Sequence, residues 1–107
     1  IGKTMSKKTK PDIKQLRAIG HKLNPVVTIA GKGLSETVSA ELDRALTDHE
    51  LIKVKIAVGS REARAALTEK ICKQTGAEMV QSIGSVIVLL RRSATPDPRL
   101  SNLIKPL

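Results

Sequence analysis

The stretch LIKVKIAV, Leu51–Val58, alternates. Ile52, Val54, Ile56 and Val58 project one way; Lys53 and Lys55 project the other. A period of two is the signature of a β-strand, here with one apolar side and one wet or ligand-facing side. Directly upstream, Ser35 is a good N-cap for a helix from Glu36 to His49, whose apolar face is Val38, Leu42, Ala45 and Leu46. Glu36 suits the positive end of that helix dipole. Before it lie an apolar run, VVTIA (Val26–Ala30), which reads as a buried strand, and a Gly31-Lys32-Gly33 turn. Downstream, Ser60 caps a helix that runs to about Thr75, where Gly76 provides a left-handed stop. EMVQSI, Gly84-Ser85 and VIVLLRR then read as a hairpin with a tight turn. The last strand is apolar on both faces and so belongs in the middle of the sheet.

At the start of the chain, Pro11-Asp12 opens a helix from Asp12 to Lys22 and Asn24-Pro25 ends it. Ile13, Leu16, Ile19 and Leu23 define a buried face. Lys10, Lys14, Arg17 and His21 fall within about 60° of each other on another face, at about 100° per residue, and form a basic stripe. The order is α-β-α-β-α-β-β: an α/β fold with a small four-stranded mixed sheet and three helices. Residues 1–10 are expected to be a basic arm, with either Ile1–Thr4 a remnant of cloning and Met5 the natural start, or the chain part of a longer natural protein. Residues 11–92 are the domain. Residues 93–107, with three prolines and no period, are expected to be a tail that lies on the surface or moves.

Composition narrows the function. In 107 residues there is no Phe, Tyr or Trp, and the net charge is +9. Residues 1–24 carry a net +6, residues 91–107 a net +3, and the span between them is neutral. If both ends lie on one side of the fold, they make one polyanion-binding surface; otherwise they are two solubilising tails. No apolar run approaches the roughly 20 residues of a membrane span, and no apolar signal segment follows the basic N-terminus. The single cysteine, Cys72, rules out an intrachain disulfide and a cysteine-based zinc cluster, and makes a reducing cytoplasmic setting the default.

Catalytic chemistry finds little to build on. His49 is in line with an apolar helix face and reads as a core or capping residue, while His21 sits in the basic stripe, where a phosphate contact and a plain surface role are equally open. Cys72 has no activating partner in sequence and reads as a half-buried helix thiol. Glu41/Arg44 and Glu69/Lys73 read as ordinary helix pairs. No enzyme, metal or cofactor motif is present, so no catalytic residue, metal, cofactor or small-molecule substrate is expected.

Gly31-Lys32-Gly33 fails the P-loop spacing, because Lys32 is followed by Gly33 rather than Ser or Thr. Its local physics still suits an anion: glycines admit close backbone approach, and the following helix start exposes N–H groups. Without aromatic platforms to stack bases, recognition should lean on phosphate, 2′-OH and shape, although Arg17, Arg91 and Arg92 could stack in place of aromatics. Structured RNA suits this better than a single strand read by sequence. The expected contacts are Lys7, Lys8, Lys10, Lys14, Arg17, His21 and Lys22, then Gly31, Lys32 and Gly33, with Arg91 and Arg92 extending the patch if the last strand ends nearby; Ala30 joins them through the resemblance given next. The rivals are a protein-interaction module and a general polyanion binder.

LNPVVTIAGKGLSE, HELIKVKI and GAEMVQSIGSVIVLLRR, in that order, resemble the CRM domain in its stand-alone bacterial YhbY form, over roughly Asp12 to Arg92. The resemblance implies a fold similar to the C-terminal domain of translation initiation factor three. It also implies RNA binding through a GxxG loop beside a basic face, and association with precursors of the large ribosomal subunit, with large-subunit ribosomal RNA and possible ribosomal proteins as partners; plant relatives assist intron splicing. In this chain Ala30 stands where the first glycine of GxxG is usual, and Gly33 keeps the second position. The loop forms with Ala30 if that position takes an ordinary φ; otherwise Gly31 makes the turn.

Overall fold

The two lysines of the alternating strand share their face of the sheet with the first helix. In the computed structural model, which describes residues 12–31 and 33–103, the chain runs α1 (Ile13–Lys22), β1 (Pro25–Ile29), α2 (Glu36–His49), β2 (Leu51–Ile56), α3 (Arg61–Thr75), β3 (Glu78–Ile83) and β4 (Val86–Leu90). The four strands form one sheet in the order β1-β2-β4-β3. β1 and β2 are parallel, and the other two pairings are antiparallel. The doubly apolar β4 is therefore central, as its sequence requires, with Ile87 to Leu90 all buried.

Local chemistry explains the element ends. Asp12 accepts from the Gln15 amide at 2.8 Å while the Gln15 side chain accepts from the Asp12 amide at 2.9 Å, a reciprocal capping box that starts α1. Ser35 and Ser60 accept from the amides of Val38 and Ala63, three residues on, at 3.2 and 3.0 Å. Gly76 ends α3 at φ 76°. α2 ends differently, on Glu50 at φ 62°, a positive φ that disfavours a residue with a Cβ.

Glu50 takes that conformation in a network that ties down the C-terminal segment. Its side chain is buried, accepting from Ser101 Oγ at 2.6 Å and from the Ser93 amide. The His49 ring Nδ1–H donates to the Leu100 carbonyl at 2.8 Å. Asn102 donates through its amide to the His49 carbonyl (2.9 Å) and through its side chain to the Leu51 carbonyl (2.7 Å). Ser101 and Asn102 are buried, and Leu103 packs on the cluster of Leu16, Leu51, Val80, Val88 and Leu90. Residues 93–103, expected as a surface-lying or mobile tail, are thus stitched to the end of the sheet by polar residues whose partners lie about 50 positions away.

The sheet has helices on both faces. α2 and α3 cover one, burying Val27, Ile29, Ile52, Val54, Ile56, Ile87 and Leu89. α1 lies on the other over Leu51, Val80, Val88 and Leu90. Of the four apolar residues expected to bury α1, Leu16 is buried and Ile19 and Leu23 are partly so, whereas Ile13, in the first turn, is 50 % exposed. Gly20 takes the remaining inward position: a Cβ there would sit 2.9 Å from a Val88 methyl carbon. Among the described residues no helix is long and apolar enough to cross a membrane.

Candidate nucleic-acid interface

Strand register sorts the α1 face into three rows. Leu51, Leu90 and Glu78 form the first; Pro25, Lys53, Val88 and Gln81 the second; Thr28, Lys55, Val86 and Ile83 the third. α1 packs on the first two. The third stays open: Thr28 and Lys55 are exposed, Val86 is half-buried and Ile83 is 62 % exposed. On the wet side of LIKVKIAV, Lys53 thus lies at the edge of the basic helix and Lys55 in an uncovered strip of sheet beside it.

On α1, Lys14, Arg17, His21 and Lys22 are all exposed. Arg17 leans over β3, its Nε donating to the Val80 carbonyl at 3.4 Å. Lys53 Nζ donates to the His21 carbonyl at 3.3 Å, which sets an ammonium at the negative end of the α1 dipole. The basic stripe of the helix therefore continues onto the strand through Lys53 and then Lys55. These two lysines were absent from the residues picked as contacts. Their alternation was legible, but only the fold shows that their side of the strand is the α1 side.

The Gly-rich loop leaves the sheet beyond the open row. The Ala57 amide donates to the Ile29 carbonyl at 2.7 Å and the Ile56 amide to the Ser85 carbonyl at 2.6 Å, so β1, β2 and the hairpin turn all end here. A bond of 2.9 Å from the Gly33 amide to the Ala30 carbonyl closes the turn. Among the described residues of the loop, Gly33 has a positive φ, 77°, and Ala30 and Gly31 do not. Alanine is therefore accommodated at the first position of the loop, and the glycine needed for backbone reasons is the last. A Cβ at Gly31 or Gly33 would meet nothing within 4 Å, so the turn stands clear of the body of the protein. Lys32, Lys10 and the Lys7/Lys8 arm lie outside the described residues.

Arg91 does not extend the patch. It follows β4 at the opposite end of the sheet, where its amide donates to the Glu50 carbonyl at 2.8 Å. Its guanidinium points to the α2–α3 side. Nη1 reaches Asp43 Oδ1 at 2.7 Å and the Thr75 carbonyl at 2.9 Å; Nη2 reaches the Asp43 carbonyl at 2.9 Å and Thr47 Oγ1 at 2.8 Å. This arginine joins the second half of α2 to the end of α3, on the face of the sheet opposite α1 and at the end opposite the loop. Arg92 is exposed at the same far end. Neither Glu41/Arg44 nor Glu69/Lys73 comes within ion-pair distance; the ion pairs among the described residues are Arg91–Asp43 and Arg99–Asp97. Cys72 is half-buried, and burial pushes its thiol pKa up, away from the thiolate that nucleophilic chemistry needs.

Comparison with known proteins places this geometry in a class. The CRS1 / YhbY (CRM) domain model matches residues 9–91, and the chain belongs to that family. It is 47 % identical over 95 residues to a Pseudomonas aeruginosa protein described as a "Probable RNA-binding protein", covering 89 % of this chain and 91 % of that one. It is 47 % identical over 78 residues to an RNA-binding protein of Haemophilus influenzae, covering 73 % of this chain and 79 % of the relative. Among solved structures it is similar to a Staphylococcus aureus protein determined in solution, at 32 % identity and a TM-score of 0.70, covering 78 % of this chain and 86 % of the other.

Proposed function

We propose that this protein binds structured RNA through its backbone, using α1, the lysines of β2 and the Ala30–Gly33 loop, and that it acts in the cytoplasm in assembly of the large ribosomal subunit. The observation that carries the reading is the continuity of positive charge from Lys14, Arg17, His21 and Lys22 on α1 onto Lys53 and Lys55 of the sheet face it packs on. The names and family of its relatives support RNA as the polyanion. Lys10 and Lys32, adjoining this surface in sequence, belong to the same proposal, and large-subunit ribosomal RNA or its precursor is the proposed partner. We propose no enzymatic role.

The test is binding to protein-free ribosomal RNA across a salt series. Each phosphate-contacting cation that is removed lowers the slope of log K against log salt by about 0.7–0.9. Lys14→Ala, Arg17→Ala, Lys53→Ala and Lys55→Ala should each weaken binding and flatten the slope by about that amount. A quadruple variant that binds like wild type would sink the proposal. A protein-interaction module would not bind protein-free RNA at physiological salt, and a general polyanion binder would be displaced equally by DNA and heparin.

A further inference from the structure

A cleft opens beneath the C-terminal end of α1, between the helix and the second and third rows of the sheet. Its volume is about 250 Å³, and its lining includes Gly20, Lys53, Gln81, Ile83, Val86 and Val88. That is smaller than the roughly 300–1,000 Å³ of drug-sized ligand sites and suits a single flat ring system. Val86, Val88 and Ile83 give it aliphatic walls. Gly20 lets α1 pack directly against Val88, which closes one end of the cleft. The half-buried Gln81 presents a carboxamide with no hydrogen-bond partner among the described residues. Lys53 lies at the rim with His21, and Lys55 follows in the next row, while no carboxylate lines the cleft. Aliphatic walls, one donor–acceptor pair and a cationic rim together match a nucleotide rather than a neutral apolar molecule.

We infer that this cleft receives one unpaired base of the bound RNA. The ring packs against Val86, Val88 and Ile83, the Gln81 carboxamide bonds the edge of the base, and Lys53 and Lys55 hold the flanking phosphates. A carboxamide complements the donor–acceptor edge of adenine, as Gln does when it pairs with adenine N6 and N7, so adenine is the preferred base. The cleft supplies aliphatic walls where other RNA-binding modules use aromatic platforms. This inference rests on the RNA-binding reading above and adds to it a contact with a base.

Salt dependence separates the two. Gln81→Ala and Val86→Phe, the second filling the cleft, are titrated with protein-free ribosomal RNA beside wild type and Lys53→Ala. Base contacts contribute affinity without releasing counterions, whereas phosphate contacts set the salt slope. Each cleft variant should bind about tenfold more weakly with the slope unchanged, and Lys53→Ala should flatten it. Gln81 is on an edge strand, so its truncation tests the cleft even if Val86→Phe disturbs folding. Wild-type affinity in both variants, or a loss accompanied by a flatter slope, overturns the cleft while leaving backbone binding intact. Failure of wild type to bind the RNA overturns the RNA-binding reading and the cleft with it.

Discussion

Arg91 shows how little a residue's charge says about its task. Four hydrogen bonds, one of them to a carboxylate, tie its guanidinium to the second half of α2 and the end of α3. Hydrogen bonds to charged groups contribute about 1.5–3 kcal/mol each when tested singly, and shared partners make the total less than the sum. Arg91→Ala is expected to lower stability by about 2–3 kcal/mol in urea denaturation, with Arg92→Ala, on the exposed neighbour, within about 0.5 kcal/mol of wild type. Arg91→Lys should recover only part of the loss, because an ammonium cannot match the planar fork. In sequence Arg91 and Arg92 look alike; the difference is made by Asp43, Thr47 and Thr75, which the fold brings from two other elements. The loop was more legible. Gly33 has the left-handed φ that glycine was expected to supply, and Ala30 has an ordinary one. Gly33→Ala should therefore cost about 1 kcal/mol in stability, whereas Ala30→Gly, which restores the more usual family residue, should cost under about 1 kcal/mol, both read from thermal melts.

At the scale of elements, the periodicities carried far. The N-caps of α2 and α3, the glycine stop of α3, the hairpin and the central place of β4 follow from capping residues, glycines and apolar runs that act within a few positions of themselves. What periodicity could not give was the face of the sheet on which each helix packs. The basic stripe of α1 and the lysines of β2 were both readable, but their union depends on α1 crossing at Gly20. That crossing makes a specific demand. Gly20→Ala should gain up to about 1 kcal/mol of helix propensity and lose more to the contact with Val88, for a net destabilisation of about 1–2 kcal/mol. Combining it with Val88→Ala should be less damaging than the two single losses added together, because the shortened side chain makes room for the new methyl. A double-mutant cycle of melting curves measures that coupling.

For the molecule as a whole, the C-terminal segment was least legible, since its anchors are isolated polar residues with no repeat. Glu50, Ser101 and Asn102 bond across about half the length of the chain, and nothing local marks them as partners. A chain ending at Arg92 should fold but be less stable by about 2–4 kcal/mol, having lost the hydrogen bonds to Glu50 and Leu51 and the apolar contact of Leu103; its urea midpoint checks this. The strand order carries one more consequence, for synthesis. β4, the last strand made, is inserted between β2 and β3, so every pairing in the sheet other than β1–β2 waits for residues 86–90. A nascent chain emerges with β2 and β3 lacking the strand that lies between them, and their apolar faces stay uncovered until residues 86–90 have been made. The sheet therefore closes only once residues 86–90 have left the exit tunnel, and a nascent chain arrested with only residues 1–83 emerged should remain as sensitive to protease as an unfolded one.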